Sequence, residues 1–167
     1  MAQNLKLVCD TNVLLDYLLE TREGHKKAES LFNAFAGMNT TMMCVSLSLK
    51  DVDYLAKIAM KRKFRNDESV LVWATITVLV SQFGWNCIQT LLRIMTVIAV
   101  DDQVCRNAVA LRPIHNDYED DLIIAASRQA NADMVVTGDQ DLIKHFPDLC
   151  VSVEDALKQV DGDQSGI

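Results

Sequence analysis

The 167-residue chain contains no CxxC pair, and its five cysteines (Cys9, Cys44, Cys87, Cys105, Cys150) are odd in number and widely spaced. A disulfide-stapled scaffold is excluded, and free thiols in a reducing, cytoplasmic setting are expected. No secretory leader is expected either, because Leu5–Cys9 is too short for an apolar signal core and runs at once into Asp10. The three histidines, His25, His115 and His145, have no cysteine or second histidine at ligand spacing, so none is expected to bind a metal. Charge is absent from Ser69 to Leu92, yet the strongly apolar part, Val70–Val80, falls short of the ~20 residues a bilayer needs. Ser81, Gln82, Gly84, Asn86 and Gln89 follow it, which predicts a buried or interface helix and no membrane partner. Internal repeats and linkers are missing too, so one domain is expected.

What is present suffices for that domain. Half of the residues are apolar and 23% are charged. A chain this long buries roughly 68–70% of the surface its unfolded form exposes, without staples. The net charge of −7 argues against holding nucleic acid by bulk charge. The balance is uneven, however. Residues 1–100 carry 11 basic and 9 acidic side chains, whereas residues 101–167 carry 5 and 14.

Short apolar runs alternate with helical patterns. Strands are predicted at Leu5–Cys9, Met42–Val45, Thr96–Val100, Met134–Val136 and Cys150–Val153. Helices are predicted at 12–19, 25–36, from Ser46 or Ser48 through Ile58, and at 86–94, 103–111, 119–130 and 154–160. Ser152 and Asp155 form a capping-box-like start for the last of these. Strands separated by helices predict a three-layer α/β/α sandwich with a mainly parallel central sheet.

Open parallel sheets place ligands beyond the carboxyl ends of their strands. Asp10 directly follows the first strand, and Asp139 follows Met134–Val136 by way of Thr137 and Gly138. Asp120 falls in the first turn of the helix at 119–130, and Asp51 early in the helix after Met42–Val45. Each alone reads more readily as a helix cap or a dipole partner. If four carboxylates converge, their repulsion calls for a cation, and all-oxygen ligation selects Mg²⁺ or Mn²⁺.

The stretch CDTNVLLDYL resembles the opening of the PIN domain family. DYEDDLIIAASRQANADMVVTGDQDL is similar to that family's distal half, and VSLSLKDVDYLAK to its intermediate helix. The resemblance implies one PIN-like domain over residues 1–160 with a flexible tail at 161–167. It implies metal-binding and catalytic roles for Asp10, Asp51, Asp120 and Asp139. Thr11, Asn12 and Thr137 would supply hydrogen bonds around them, and Asp141 or Glu119 would hold a water. The small single-domain type resembles the VapC-like toxin ribonucleases, which implies Mg²⁺- or Mn²⁺-dependent hydrolysis of RNA phosphodiesters and a possible antitoxin partner. Asp51 departs from the pattern, since glutamate is usual there; Asp53 is a weaker candidate because it faces another way on the helix.

RNA would be held away from the acidic half, and the cluster Lys57, Lys61, Arg62, Lys63 and Arg65 is the candidate. The same cluster also reads as cations placed at a negative helix terminus. The apolar 70–80 run reads as core or as the interface of a homodimer, with the homodimer favoured. Two other functions compete. A non-catalytic RNA- or partner-binding module would keep the acidic cup without the chemistry. A haloacid-dehalogenase-like phosphatase shares the aspartate after the first strand, but has a second aspartate where this chain has Asn12.

Overall fold

The computed structural model describes residues 4–64 and 70–164. Five strands form one sheet: β1 (Leu5–Cys9), β2 (Thr40–Val45), β3 (Thr96–Ile98), β4 (Met134–Val136) and β5 (Cys150–Val151). Their order is β3-β2-β1-β4-β5, and every pairing is parallel. The helices are α1 (Thr11–Leu18), α2 (His25–Ala36), α3 (Ser46–Lys63), α4 (Val70–Ile94), α5 (Asp102–Leu111), α6 (Tyr118–Gln129), α7 (Gln140–His145) and α8 (Val153–Gln164).

Strand alternation splits the apolar residues between two faces. Leu7, Cys9, Met42, Cys44, Met134 and Val136 point into one core, shared with α1, α2, α3, the second half of α4 and α8. Val8, Met43, Val45, Val135 and Cys150 point into the other, closed by α5, α6 and α7. The sheet is thus covered on both faces, as its near-continuous apolar strands require. The expected α/β/α sandwich is what forms, and its sheet is wholly parallel.

Several local readings change. The helices expected at 86–94 and in the apolar run before it are one 25-residue helix, α4. Ile76, Val80, Cys87 and Leu91 lie buried at helical spacing, whereas Trp73, Val78, Leu79, Trp85 and Leu92 are exposed. The run is therefore core along one face and bare along another. No described helix is long and apolar enough to cross a membrane. Neither Ser46 nor Ser48 caps α3: Val45 occupies the cap position, Ser46 Oγ accepts from Val100 N at 3.3 Å, and Ser48 is buried within the helix. Ser152 does cap α8, accepting from Asp155 N at 3.1 Å and donating to its carboxylate. That helix runs through Gln164, past the expected end at Val160. α7 had no counterpart in the sequence reading.

α4 packs along α3, and Gly84 sits at the crossing. A Cβ there would run into Asp53 Oδ1 and come within 2.6 Å of Lys57 Cε, the two members of an ion pair on α3. Gly84→Val is expected to destabilise the fold by about 1–3 kcal/mol, the usual cost of forcing extra methyl groups into a closed contact. A lowered urea midpoint with unchanged slope would register it; an unchanged midpoint would mean the helices do not meet there.

Candidate active site

The register of β1 and β4 builds the site. Cys9 pairs with Val136, so the next residues of each strand, Asp10 and Thr137, leave the sheet side by side. Asp10 N donates to Val136 O at 3.0 Å, and Thr137 Oγ1 donates to Asp10 Oδ2 at 2.7 Å. Thr137 Oγ1 in turn accepts from Asp139 N at 3.0 Å. Asp10 also caps α1, its Oδ1 accepting from Thr11 N at 2.6 Å. These contacts pin a carboxylate that is almost wholly buried. Burial raises its pKa above the ordinary range, bonds from Thr137 and Thr11 oppose the rise, Asp139 adds to it, and Asn12 again opposes it. Thr11 thus contributes its backbone N–H, while Asn12 and Thr137 act through their side chains.

Asp139 caps α7, with Oδ1 accepting from Asp141 N at 2.8 Å and Leu142 N at 3.3 Å. Asp120 stands in the first turn of α6, behind the cap Asp117, whose Oδ1 accepts from Glu119 N at 3.0 Å and Asp120 N at 3.5 Å. The Asp120 carboxyl is pushed up to about 6, by burial first and then by Asp10, Asp117 and Asp139, with His115 opposing. Asp10, Asp120 and Asp139 therefore feel one another's charge. Asp120 and Asp139 line one open cleft together with Arg112, His115, Asp117, Asp141 and His145. Placing anionic groups in the first turns of α6 and α7 is also what helix N-termini favour.

Asp51 is held by other partners. Its Oδ1 pairs with Lys50 at 3.0 Å, and its Oδ2 is buried without a hydrogen-bond partner. Hydrogen bonding to Asp51 raises the Glu119 carboxyl above its usual value, ahead of partial burial and Asp51's charge; Lys50 opposes the rise and Asp117 adds to it. Glu119 is thus the neighbour that joins Asp51 to the Asp120 end of α6. Asp53 turns away, bonded to Lys57 at 2.6 Å against α4.

The residues fit a hard divalent cation. Like-charged groups face one cleft, one carboxyl is driven to about 6 largely by burial and acidic neighbours, and Asp51 carries an orphaned buried oxygen. Asp10, Asp120 and Asp139 are not among the groups of three whose ligand atoms all fall within 4.8 Å.

The basic residues are at the far end of α3. Lys61, Arg62 and Lys63 occupy its last turn, and Lys57 is already paired with Asp53. At 1.5 Å per residue the last turn lies roughly 15–18 Å from Asp51 along the axis. Arg62 and Lys63 border a separate cleft with Leu15, Leu19, Arg22 and Leu55. Arg65 lies outside the described residues.

The sequence reading missed three contributors. Arg112 sits on the turn after α5 and lines the acidic cleft. His115 and His145, set aside for want of ligand spacing, are brought together with Asp141, all three having ligand atoms within 4.8 Å of one another. The only local signal was the i,i+4 placement of Asp141 and His145, on a helix that was not anticipated.

A family model for the PIN domain matches residues 6–141. A comparison with curated protein sequences finds no match. Among solved structures, a toxin–antitoxin complex from Klebsiella pneumoniae is 17% identical with a TM-score of 0.59, covering 88% of this chain and 97% of that one. VapBC2 from Rickettsia felis, bound to a DNA fragment from its promoter, is 15% identical with a TM-score of 0.57, covering 89% and 98%. VapC20 from Mycobacterium tuberculosis, a sarcin-ricin loop cleaving toxin, is 13% identical with a TM-score of 0.58, covering 83% and 93%. At these identities the likeness is one of fold.

Proposed function

Since the chain belongs to the PIN domain family, we propose that it is a divalent-metal-dependent endoribonuclease, the toxin of a toxin–antitoxin pair. The observation that carries this reading is that Thr137 ties Asp10 to the Asp139 N–H at the carboxyl ends of β1 and β4, while Asp139 shares one cleft with Asp120 of α6. The phosphatase reading loses its basis with the family assignment. The antitoxin partner is supported by the toxin–antitoxin complexes that share the fold.

Asp10, Asp120 and Asp139 are the residues that would hold Mg²⁺ or Mn²⁺, with Asp51 and Glu119 as a flanking pair. The bound ion would neutralise charge on the scissile phosphate and activate water for in-line attack. Thr137 and the Thr11 N–H fix the Asp10 carboxylate in one rotamer, so no reorganisation is needed when substrate arrives. The Asp139 N–H fixes the Thr137 hydroxyl and with it the direction of its proton. Asp120, near 6, is mostly ionised at neutral pH. Arg112 at the cleft edge would meet a phosphate next to the one being cut. RNA reaching Lys61–Lys63 would have to span several nucleotides from the acids, so that cluster would contribute to affinity and not to the chemical step.

Purified protein should cleave single-stranded RNA with Mg²⁺ or Mn²⁺ and stop on chelation. Absence of cleavage across several RNAs, with metal bound, would favour the non-catalytic module. We also propose that the exposed face of α4 joins two copies. Leu79→Glu should then halve the mass measured by light scattering, whereas a wild type that is already monomeric would refute the dimer.

A further inference from the structure

His115 and His145 are thirty residues apart in the chain. The turn after α5 and the last residue of α7 bring their rings to 5.2 Å between centroids, tilted by 56°. Asp141 sits between them, its Oδ2 3.7 Å from His115 Nε2 and 3.5 Å from His145 Nδ1, a nitrogen that also meets the Asp141 main-chain carbonyl at 2.8 Å. Two imidazoles and a carboxylate are the donor set of a borderline transition ion, unlike the all-oxygen set beside it.

A second observation points the same way. His115 is over nine-tenths buried, and its Nδ1 lies 3.1 Å from Oδ1 of the equally buried Asp121. Asp121 thus meets one ring nitrogen of His115, and Asp141 faces the other. At 3.7 Å, Nε2 has no hydrogen bond of its own to that carboxylate. A carboxylate on one nitrogen with an open second nitrogen is how metal-ligating histidines are commonly oriented. Two ligands at about 2.0–2.1 Å from a tetrahedral zinc are separated by roughly 3.4 Å, so the His115–Asp141 pair needs only a small closure.

We infer that His115 Nε2, Asp141 Oδ2 and one imidazole nitrogen of His145 bind a divalent ion of the Zn²⁺ or Co²⁺ class, at the rim of the cleft that holds Asp120 and Asp139. Three protein ligands leave a tetrahedral ion one position open to the cleft, where water or a phosphate oxygen fits. Asp121 is the positioning residue. The site does not rest on the nuclease reading, because none of its ligands is among the four carboxylates assigned there.

Metal-free full-length protein should be titrated with Co²⁺ and followed by its visible absorption. One ion per chain is expected in the bands of nitrogen and oxygen ligation, apart from any ion taken by the all-oxygen carboxylates, with no thiolate charge-transfer band and displacement by Zn²⁺. His145→Gln, at a half-exposed position, should weaken binding at least about tenfold. Asp121→Asn should weaken it less and leave the stoichiometry intact. Asp10→Asn should abolish RNA cleavage under the nuclease reading yet bind Co²⁺ like the wild type. His115→Gln carries a risk of unfolding, so Zn²⁺-induced shifts of the histidine ring nitrogens provide the second measurement: His115 and His145 should move together while His25 stays. A thiolate band, a His145→Gln variant that binds like the wild type, equal loss in Asp10→Asn, or unmoved His115 and His145 signals would each overturn the site.

Discussion

Asp10→Asn is expected to lower metal-dependent RNA cleavage by roughly 10³-fold, because metal-centred charge stabilisation contributes several kcal/mol and each 1.36 kcal/mol is tenfold in rate. The substitution keeps the shape of a side chain that is buried and held by Thr11 N and Thr137 Oγ1. Its effect on stability should run the other way. Burial is the largest influence on Asp10 and raises its pKa in the folded state. Stability from a group raised in this way is fully present below the unfolded pKa and lost as pH rises through the folded one. At neutral pH the native carboxylate therefore carries a deficit that asparagine removes. Against this, the amide nitrogen can only donate, so the Thr137 hydroxyl must turn from donor to acceptor, and a charge-assisted bond becomes a neutral one at a cost of about 1 kcal/mol. The burial effect should win or balance, giving a urea midpoint at pH 7 no lower than wild type in the absence of metal. An inactive variant with a wild-type or higher midpoint is the signature of a site built at the expense of stability. A variant that cleaves normally refutes the assignment of Asp10, and one inactive because unfolded refutes the balance argued here.

The parts of this arrangement that could be read from sequence are those carried by short-range pattern. Leu5–Cys9, Met134–Val136 and His25–Ala36 appear where apolar runs and helical spacing put them. Asp10 and Asp139 could be located because each follows a strand directly. α4 was divided because Ser81, Gln82, Gly84 and Asn86 interrupt its apolar run. In the folded chain Ser81, Gln82 and Asn86 face outward, and Gly84 meets the Asp53–Lys57 pair on α3. α7 has six residues, too few for helical periodicity, and is defined by its cap, Asp139. The same aspartate thus signals a helix start and a site residue, and the cap alone, without periodicity behind it, does not predict the helix. The pairing of His115 with His145 depends on where the turn after α5 meets α7, which no spacing along the chain encodes. Asp51, placed with the other acids by analogy, is drawn to Lys50 on its own helix and meets Glu119 of α6 through a hydrogen bond, against the repulsion of the two carboxyl groups.

Asp120 gives the site a pH signature that can be read without substrate. Its carboxyl stands at about 6 against an ordinary 3.8. Between those values the unfolded chain has lost the proton that the folded chain keeps. The contribution is complete below about pH 4 and gone above about pH 6. The ~3 kcal/mol that this interval carries is reduced to on the order of 1–2 kcal/mol because the carboxyl is only half-buried and solvent screens it, and metal-free protein should lose that much as pH rises through the window. Glu119, also raised, acts in the same direction. Asp101 is lowered chiefly by the Val104 N–H, and Asp155 and Glu154 chiefly by hydrogen bonds from Lys158 and Lys27; these groups act with opposite sign, and only as pH falls towards the unfolded carboxylate range. The signal is therefore best taken as the difference between wild type and Asp120→Asn, measured by urea unfolding at pH 4, 5, 6 and 7. That difference should favour wild type at the acid end and the variant at the neutral end. Under the proposed function, Mg²⁺ added to the ionised cluster should raise wild-type stability at pH 7 by RT ln(1 + [Mg²⁺]/Kd), with little gain at pH 4 and less in the variant. A difference that does not change with pH would mean that Asp120 is solvated like any surface aspartate. Equal Mg²⁺ stabilisation at pH 4 and pH 7 would mean that the cation binds somewhere other than these carboxylates.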